Sequence, residues 1–292
     1  MLTVRPGQTV VIDVESFPLE SDCADPPLVS IGLHGLYPLP WVTIITHTSM
    51  MHIVDPAIGT EGDYALSPRS ASVHWTLEQG AIQAYVDDLL PHCNFITHRG
   101  AFDFAVLAAA FPDLWHKVLD TVERQGVYDT RIAEARLLGV NRPEYATLNA
   151  HHKALKENPG FNGKHGECEW KAQFPCRGKS LYLDALAKRY GGKGLPGLQC
   201  GATFDTLRDV PLNKWPADAV RYCIGDLLAT GYIQTRQVVR FFDERDEQED
   251  AMDDGPDAWE QGLITSEVFQ LHLDFCQDVR DGKAIAWRDK AP

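Results

Sequence analysis

Residues 10–17 read VVIDVESF, an apolar, β-branched run suited to the inside of a sheet but carrying two acids two positions apart. Side chains alternate along a strand, so Asp13 and Glu15 point the same way, while Val11 and Val14 belong to opposite faces. Two like charges at that spacing repel unless something positive lies between them. The segment is therefore either the solvated face of an edge strand or a cation site on a rigid platform, and the rest of the chain must separate the two.

The bulk numbers set the frame. With 292 residues, 44% hydrophobic and 23% charged, the chain can build a substantial core in one large domain or two modest ones. It contains no run of eighteen or so apolar residues, and MLTVRPGQTVVIDVES lacks the basic, apolar and small-residue pattern of a leader. A cytoplasmic protein with no membrane partner is expected, in the host cytoplasm if phage-encoded. The seven cysteines are odd in number and scattered, which suits reduced thiols. A net charge of −14 argues against a protein that coats nucleic acid, but the charge is unevenly placed. Residues 240–292 hold 15 acids and 6 bases, whereas residues 150–195 hold 9 bases against 4 acids. A polyanion could bind the second region while the acidic tail stays away.

Periodicity gives the organisation. Residues 10–16, 28–35 and 41–47 are short β-rich runs between Pro- and Gly-containing turns, an antiparallel three-strand start. Residues 77–91 have the spacing of an amphipathic helix ended by proline. A buried strand at 93–98, an apolar helix at 101–111, a short strand at 126–130 and the helix RIAEARLLG follow. Residues 141–180 are polar, basic and rich in turn residues, and read as an insertion. Helices are expected at 180–192 and 215–245. DERDEQEDAMDDGPD (243–257) is a charge block typical of a solvated linker, and residues 266–279 place Leu271, Phe275 and Val279 on one face of a last amphipathic segment. Strands that first pair as a meander and then alternate with helices imply an α/β fold. Residues 1–242 form its main domain, and 243–292 an acidic linker with a C-terminal helix.

Further acids fall on matching elements. THRGAFDFAVL (97–107) places Asp103 at the start of an apolar helix that follows a strand. RYCIGDLLAT (221–230) puts Tyr222 and Asp226 four apart on a helix, one turn apart on one face. The order D-x-E, then an acid after a strand, then Y-x-x-x-D on a late helix resembles the tyrosine subgroup of the DEDD superfamily of 3′→5′ exonucleases. The similarity is greatest to the proofreading exonuclease domain of phage-type family A DNA polymerases, and covers roughly residues 8–240. ITHRGAFDFAVL resembles that family's second motif, SLYLDALAKRYGG the segment before its third, and WPADAVRYCIGDLLATGYI the third itself.

The resemblance implies a ribonuclease H-like five-stranded mixed sheet flanked by helices. It implies catalytic roles for Asp13, Glu15, Asp103, Tyr222 and Asp226, with the four acids holding two divalent cations, Mg²⁺ or Mn²⁺. Asp13, Glu15 and Asp226 would bind one ion, and Asp13, with Asp103 through water, the other, as hard oxygen ligands suit these metals. Such a pair can stabilise both the attacking and the leaving oxygen at phosphorus, and Tyr222 with Glu15 would orient the attacking water. Ser16, Phe17, His98, Arg99 and Phe102 beside the acids, with Lys153, Lys156 and Lys164 of the insertion, are the expected substrate contacts. The implied activity is removal of nucleotides from a DNA 3′ end, as in proofreading. Its partners would be single-stranded DNA or a primer 3′ end and a polymerase, whether a separate subunit or a C-terminal domain of a longer protein. An RNA-trimming exonuclease of the same superfamily and a primer-end- or polymerase-binding module of weakened activity are the alternatives.

One position departs from the family. Its second motif usually has asparagine four residues before the aspartate, where this chain has Arg99. Arginine adds charge and length, enough to grip a phosphate or to replace part of a metal's charge. Elsewhere, His165, Cys168 and Cys176, with Cys200 or His151 as a fourth ligand, lack the paired spacing of zinc sites, so structural zinc is not expected. The aromatics interleaved with the bases of 150–195, Phe161, Trp170, Phe174 and Tyr182, suit single-strand stacking as well as a solvated face. GKGLPG (192–197) lacks the pattern of a phosphate loop.

Overall fold

The computed structural model describes residues 7–17, 27–36, 40–54, 71–124, 126–137, 182–192, 204–246, 262–264, 266 and 269–270. A seven-stranded sheet lies between two layers of helices. Its strands are β1 (Thr9–Ser16), β2 (Leu28–Gly35), β3 (Trp41–Thr46), β4 (Ser49–Val54), β5 (Ala71–Thr76), β6 (Asn94–Thr97) and β7 (Val127–Asp129), in the spatial order β5-β4-β3-β2-β1-β6-β7. The first five pair antiparallel, while β6 and β7 join β1 in parallel. The helices are α1 (Ala81–Leu89), α2 (Gly100–Ala110), α3 (Trp115–Glu123), α4 (Thr130–Leu137), α5 (Leu183–Arg189) and α6 (Ala217–Asp246).

The α/β class and the antiparallel start agree with the sequence, but the expected five-stranded, ribonuclease H-like sheet is corrected to a mixed, mostly antiparallel sheet of seven strands. The meander continues through β4 and β5. The β3–β4 turn contains no Gly, Pro or Asn to announce it. It is closed instead by Thr46, whose hydroxyl donates to the Ser49 carbonyl at 3.1 Å and accepts from the Ser49 N–H at 3.1 Å. The outer strand β5 has exposed side chains on both faces, including Val73 and Trp75, and so lacks the alternation that marks a half-buried strand. Helix α3 was also not anticipated.

Alternation along β1 divides the core. Val10, Ile12 and Val14 face the layer of α1, α2 and α3. Val11 faces the layer of α4, α5 and α6, and by parity Asp13 and Glu15 face that side too. Strand β2 is buried along its whole length, as a central strand covered on both faces must be. Its Gly32 lies directly opposite Asp13 in the register. A Cβ there would sit 2.8 Å from the Leu227 Cδ1 of α6, so the missing side chain lets the helix settle close to the sheet. Gly231, one turn further along, makes the same close approach from the helix side, near Val11 and His34. These two contacts bring Asp226 over β1.

Residues near the C-terminus also join the body. Leu263 bridges to Tyr128 of β7, the Ile264 N–H donates to the Val127 carbonyl at 3.0 Å, and Phe269 is buried against the core of α1, α2 and α3. Residues 141–180 with Lys153, Lys156, Lys164 and the zinc candidates, most of the 243–257 charge block, and Leu271, Phe275 and Val279 lie outside the described residues. No helix among the described residues is long and apolar enough to cross a membrane.

Gly32→Ala is expected to cost about 1–3 kcal/mol through overpacking against the fully buried Leu227, lowering Tm by several degrees. Adding Leu227→Ala should make the pair of substitutions cost less than their separate costs combined. Thermal melts of the single and double variants check this, and strict additivity would mean that the two positions do not compete for the same space.

Candidate metal centre

Strand β1 is the point where the sheet changes direction, with antiparallel β2 on one side and parallel β6 on the other. In open α/β sheets a crevice forms beyond the carboxyl ends of strands at such a switch. Here β6 pairs only with residues 9–11 of β1, so the two strands part before β1 ends. The gap is a cleft of about 170 Å³ lined by Asp13, Val14, Glu15, His98, Arg99, Phe102, Asp103, Tyr222 and Asp226. All five expected catalytic residues are there. Of the expected substrate contacts, His98, Arg99 and Phe102 line it as well. Ser16 and Phe17 do not: the Ser16 hydroxyl bonds to the Phe17 carbonyl at 3.1 Å, and the Phe17 ring packs on the core beneath α6.

Three elements supply the four acids. Asp13 and Glu15 stand on β1. Asp226 comes down from α6, with Tyr222 one turn earlier and its ring tilted against Phe204 at 5.8 Å. Asp103 belongs to the first turn of α2 and is 3% exposed. Because β6 has left β1 by this point, the Val14 N–H is free to donate to the Asp103 Oδ1, at 3.3 Å. Oxygens of Asp13, Glu15 and Asp226 lie within 4.8 Å of one another. The buried Oε1 of Glu15, Oδ2 of Asp103 and Oδ1 of Asp226 have no hydrogen-bond partner. Converging hard oxygen donors that bond to nothing in the protein are what a Mg²⁺- or Mn²⁺-sized cation needs, so the residues fit such an ion.

The electrostatics follow from the crowding. Although Asp13 is partly open to the cleft, the surrounding walls strip it of water and push its pKa up to about 7, with a hydrogen bond to Glu15 acting the other way. Glu15 is held well above the usual range by burial and by the charges of Asp13 and Asp226. Burial and then Asp13 raise Asp103, against which the Val14 N–H and the Arg99 charge act. Asp226 is raised by burial and by Asp13, and its hydrogen bond from Tyr222 opposes the shift. Burial first, and then the neighbouring acids, keep Tyr222 a phenol and Cys223 a thiol.

One residue important to this geometry was not singled out in the sequence. Asp129, at the end of β7, is buried and accepts from the backbone N–H groups of Gly100 at 2.8 Å, Arg131 at 2.7 Å and Ile132 at 3.3 Å, and also from that of Arg99. It thereby caps α2 and α4 together. Arg99 precedes α2 with φ at 71°, the left-handed conformation that, among residues with a side chain, costs β-branched ones most and asparagine little. The signal available was the position of an aspartate immediately before a helix, a common cap.

No family model matches the chain, and no curated protein or solved structure emerges as a relative.

Two outcomes are expected of the metal-free protein. A carboxylic acid whose pKa is raised on folding favours the fold while protonated, and that contribution is lost as pH rises from the unfolded value near 4 through the folded one, about 7 for Asp13. Asp13→Asn should therefore raise Tm relative to wild type at pH 8 but much less at pH 4, in melts with chelator present; a pH-independent difference would contradict the crowding. Asp129→Ala, which orphans several backbone donors, should cost about 2–4 kcal/mol, read as a lower midpoint in urea.

Proposed function

We propose that the chain is a metal-dependent 3′→5′ exonuclease that hydrolyses nucleic acid one nucleotide at a time, with DNA and a proofreading role in phage-type replication as the leading case. The observation that carries this reading is the meeting of Asp13, Glu15, Asp103, Asp226 and Tyr222, from three separate segments, in one cleft with three carboxylate oxygens unbonded. Acids spaced for one cation and flanked by a phenol form a constellation with a chemical use.

Asp13, Glu15 and Asp226 would hold one divalent ion, and Asp13 with Asp103 a second. Bound there, the ions would supply Lewis-acid charge at the scissile phosphodiester. The chain's own groups do the rest. Glu15 and the Tyr222 hydroxyl are placed to orient a water toward phosphorus, Tyr222 acting as a neutral hydrogen-bonding group because it stays protonated at neutral pH. Attack forms a bond from water oxygen to phosphorus and breaks the bond from phosphorus to the 3′ oxygen. The products are a nucleoside 5′-monophosphate and a shortened strand whose 3′ oxygen has taken up a proton. Phe102, half-buried at the cleft wall, offers an apolar face to the terminal nucleoside. A polymerase, as separate subunit or neighbouring domain, is the partner this activity would serve.

A second reading is favoured by Arg99. The residue lines the cleft and its charge acts on Asp103, where it can substitute for part of a cation's charge. On this reading the protein binds a primer end and cuts slowly or not at all.

End-labelled single-stranded DNA and RNA, incubated with Mg²⁺ or Mn²⁺ and again with chelator, separate these readings. One-nucleotide laddering on DNA that chelator stops is expected. Laddering confined to RNA would make the protein an exoribonuclease, and tight binding without cleavage in either metal would make it a binding module. Asp13→Ala and Asp226→Ala should each reduce cleavage by at least about 10³-fold, as loss of a principal charge-stabilising group does, while circular dichroism remains that of the folded protein. Cleavage retained in either variant removes the site assignment.

A further inference from the structure

The ends of β6 and β7 are sewn together beside the cleft. The Asp129 carboxylate gathers the backbone N–H groups of Arg99, Gly100, Arg131 and Ile132. Thr130 adds two more stitches, donating from its hydroxyl to the Thr97 carbonyl at 3.1 Å and meeting His98 Nδ1 at 2.9 Å. The consequence is that Arg99 and Arg131, 32 residues apart in sequence, are fixed side by side at one end of the sheet. Arg99 lines the cleft, and Arg131 stands on the first turn of α4, on the side of Arg99 away from β1 in the sheet order.

Two guanidiniums so placed repel each other. Arg131 is partly desolvated and feels the Arg99 charge, and both effects hold its pKa below the usual arginine range. Asp129 lies near enough to attract it, but every bond that carboxylate makes here goes to a backbone N–H. Among the described residues, no side-chain hydrogen bond or ion pair is made by the Arg131 guanidinium. A structural arginine held in a like-charge field would be expected to find an acid on its own head group. Near enough for its phenol to act on that guanidinium is Tyr182, a residue 73% exposed. Arg99 at the cleft, Arg131 beside it and Tyr182 beside Arg131 are thus successive neighbours: two forked cations that match phosphate geometry, and an aromatic face open to solvent.

We infer that Arg99 and Arg131 form a phosphate-binding pair, and that a single strand whose 3′ end lies in the cleft leaves over this pair toward Tyr182. The phosphodiester immediately behind the cleaved one is the group the pair receives. Between the negatively charged cleft and the negatively charged strand, it is also the positive charge that makes approach possible. This track lies on α2, α4 and the start of α5. The nature of the strand rests on the exonuclease reading; the phosphate site does not.

The test uses the full chain, wild type and Arg131→Gln, with fluorescein-labelled oligothymidylates of four and of two nucleotides. Anisotropy in chelator across a salt series should show the tetranucleotide binding about tenfold more weakly to the variant, the loss expected for one charge-assisted contact. The slope of log affinity against log salt should be shallower by about 0.7, the single-strand value for one phosphate. Arg131→Lys should restore the slope while recovering only part of the affinity, because it returns the charge without the fork. In Mn²⁺, the KM for the tetranucleotide should rise about tenfold with kcat little changed, and the dinucleotide, too short to reach the pair, should be unaffected. Unchanged tetranucleotide binding and slope, with the variant melting as wild type does, overturns the inference; so does an equal loss on both lengths. If wild type binds through Arg131 but never cleaves, the exonuclease reading fails and the phosphate pair stands. If it cleaves and Arg131→Gln binds and cleaves identically, the pair fails and the exonuclease reading stands.

Discussion

Four carboxylates that repel one another must be held together by something other than their own attraction, and much of this fold is arranged around that demand. Two unit charges 4.8 Å apart, the outer limit among Asp13, Glu15 and Asp226, repel by about 3 kcal/mol at the effective dielectric of a protein site. That is a sizeable share of the roughly 5–15 kcal/mol by which domains are stable. A flexible loop would relax away from such a cost. A strand bonded to β2 on one edge and to β6 at the start of the other cannot, and α6 is pinned over it by two close glycine contacts. The rigidity of the centre is supplied by apolar packing on both faces of β1, which is why valine and isoleucine surround the acids.

The same repulsion explains the chemistry. A metal-free cluster can lower its energy only by taking up protons or cations, and the raised pKa values are the first of these responses. A cation takes the place of the protons and is thereby bound. Asp103 differs from the other three in a useful way. It enters from the opposite helical layer, and one of its oxygens is committed to the Val14 N–H. That bond exists because the parallel pair β1–β6 opens after Val11. The sheet's change of direction therefore creates the cleft, frees the backbone donor that fixes Asp103, and leaves the second oxygen facing inward.

The legible part of this centre was the part encoded locally. An alternating strand shows which face its acids take, and a four-residue spacing on a helix stacks Tyr222 over Asp226; both follow from backbone periodicity alone. The meeting of those two faces was inferred from a resemblance, since no periodicity states which helix covers which strand. What escaped was encoded elsewhere. Gly32 reads as a weak point in a strand until Leu227 is seen against it. Asp129 reads as a helix cap until its bonds to a second helix are counted. β4 and β5 escaped because a threonine side chain closes the turn before β4, and because β5 has no buried face to give it a period.

Arg99 joins these lines of reasoning. Its left-handed backbone is a conformation that asparagine takes at little cost, whereas it costs an ordinary side chain on the order of 1–2 kcal/mol. The bond from its N–H to Asp129, and the cap that Asp129 places on Gly100, offset that cost. The geometry that positions Asp103 is therefore compatible with an arginine at this place, whose side chain brings a cation to the cleft. A cation held on that backbone, next to a second arginine and at the rim of an acidic cleft, shapes what the cleft attracts without disturbing how its acids are arranged.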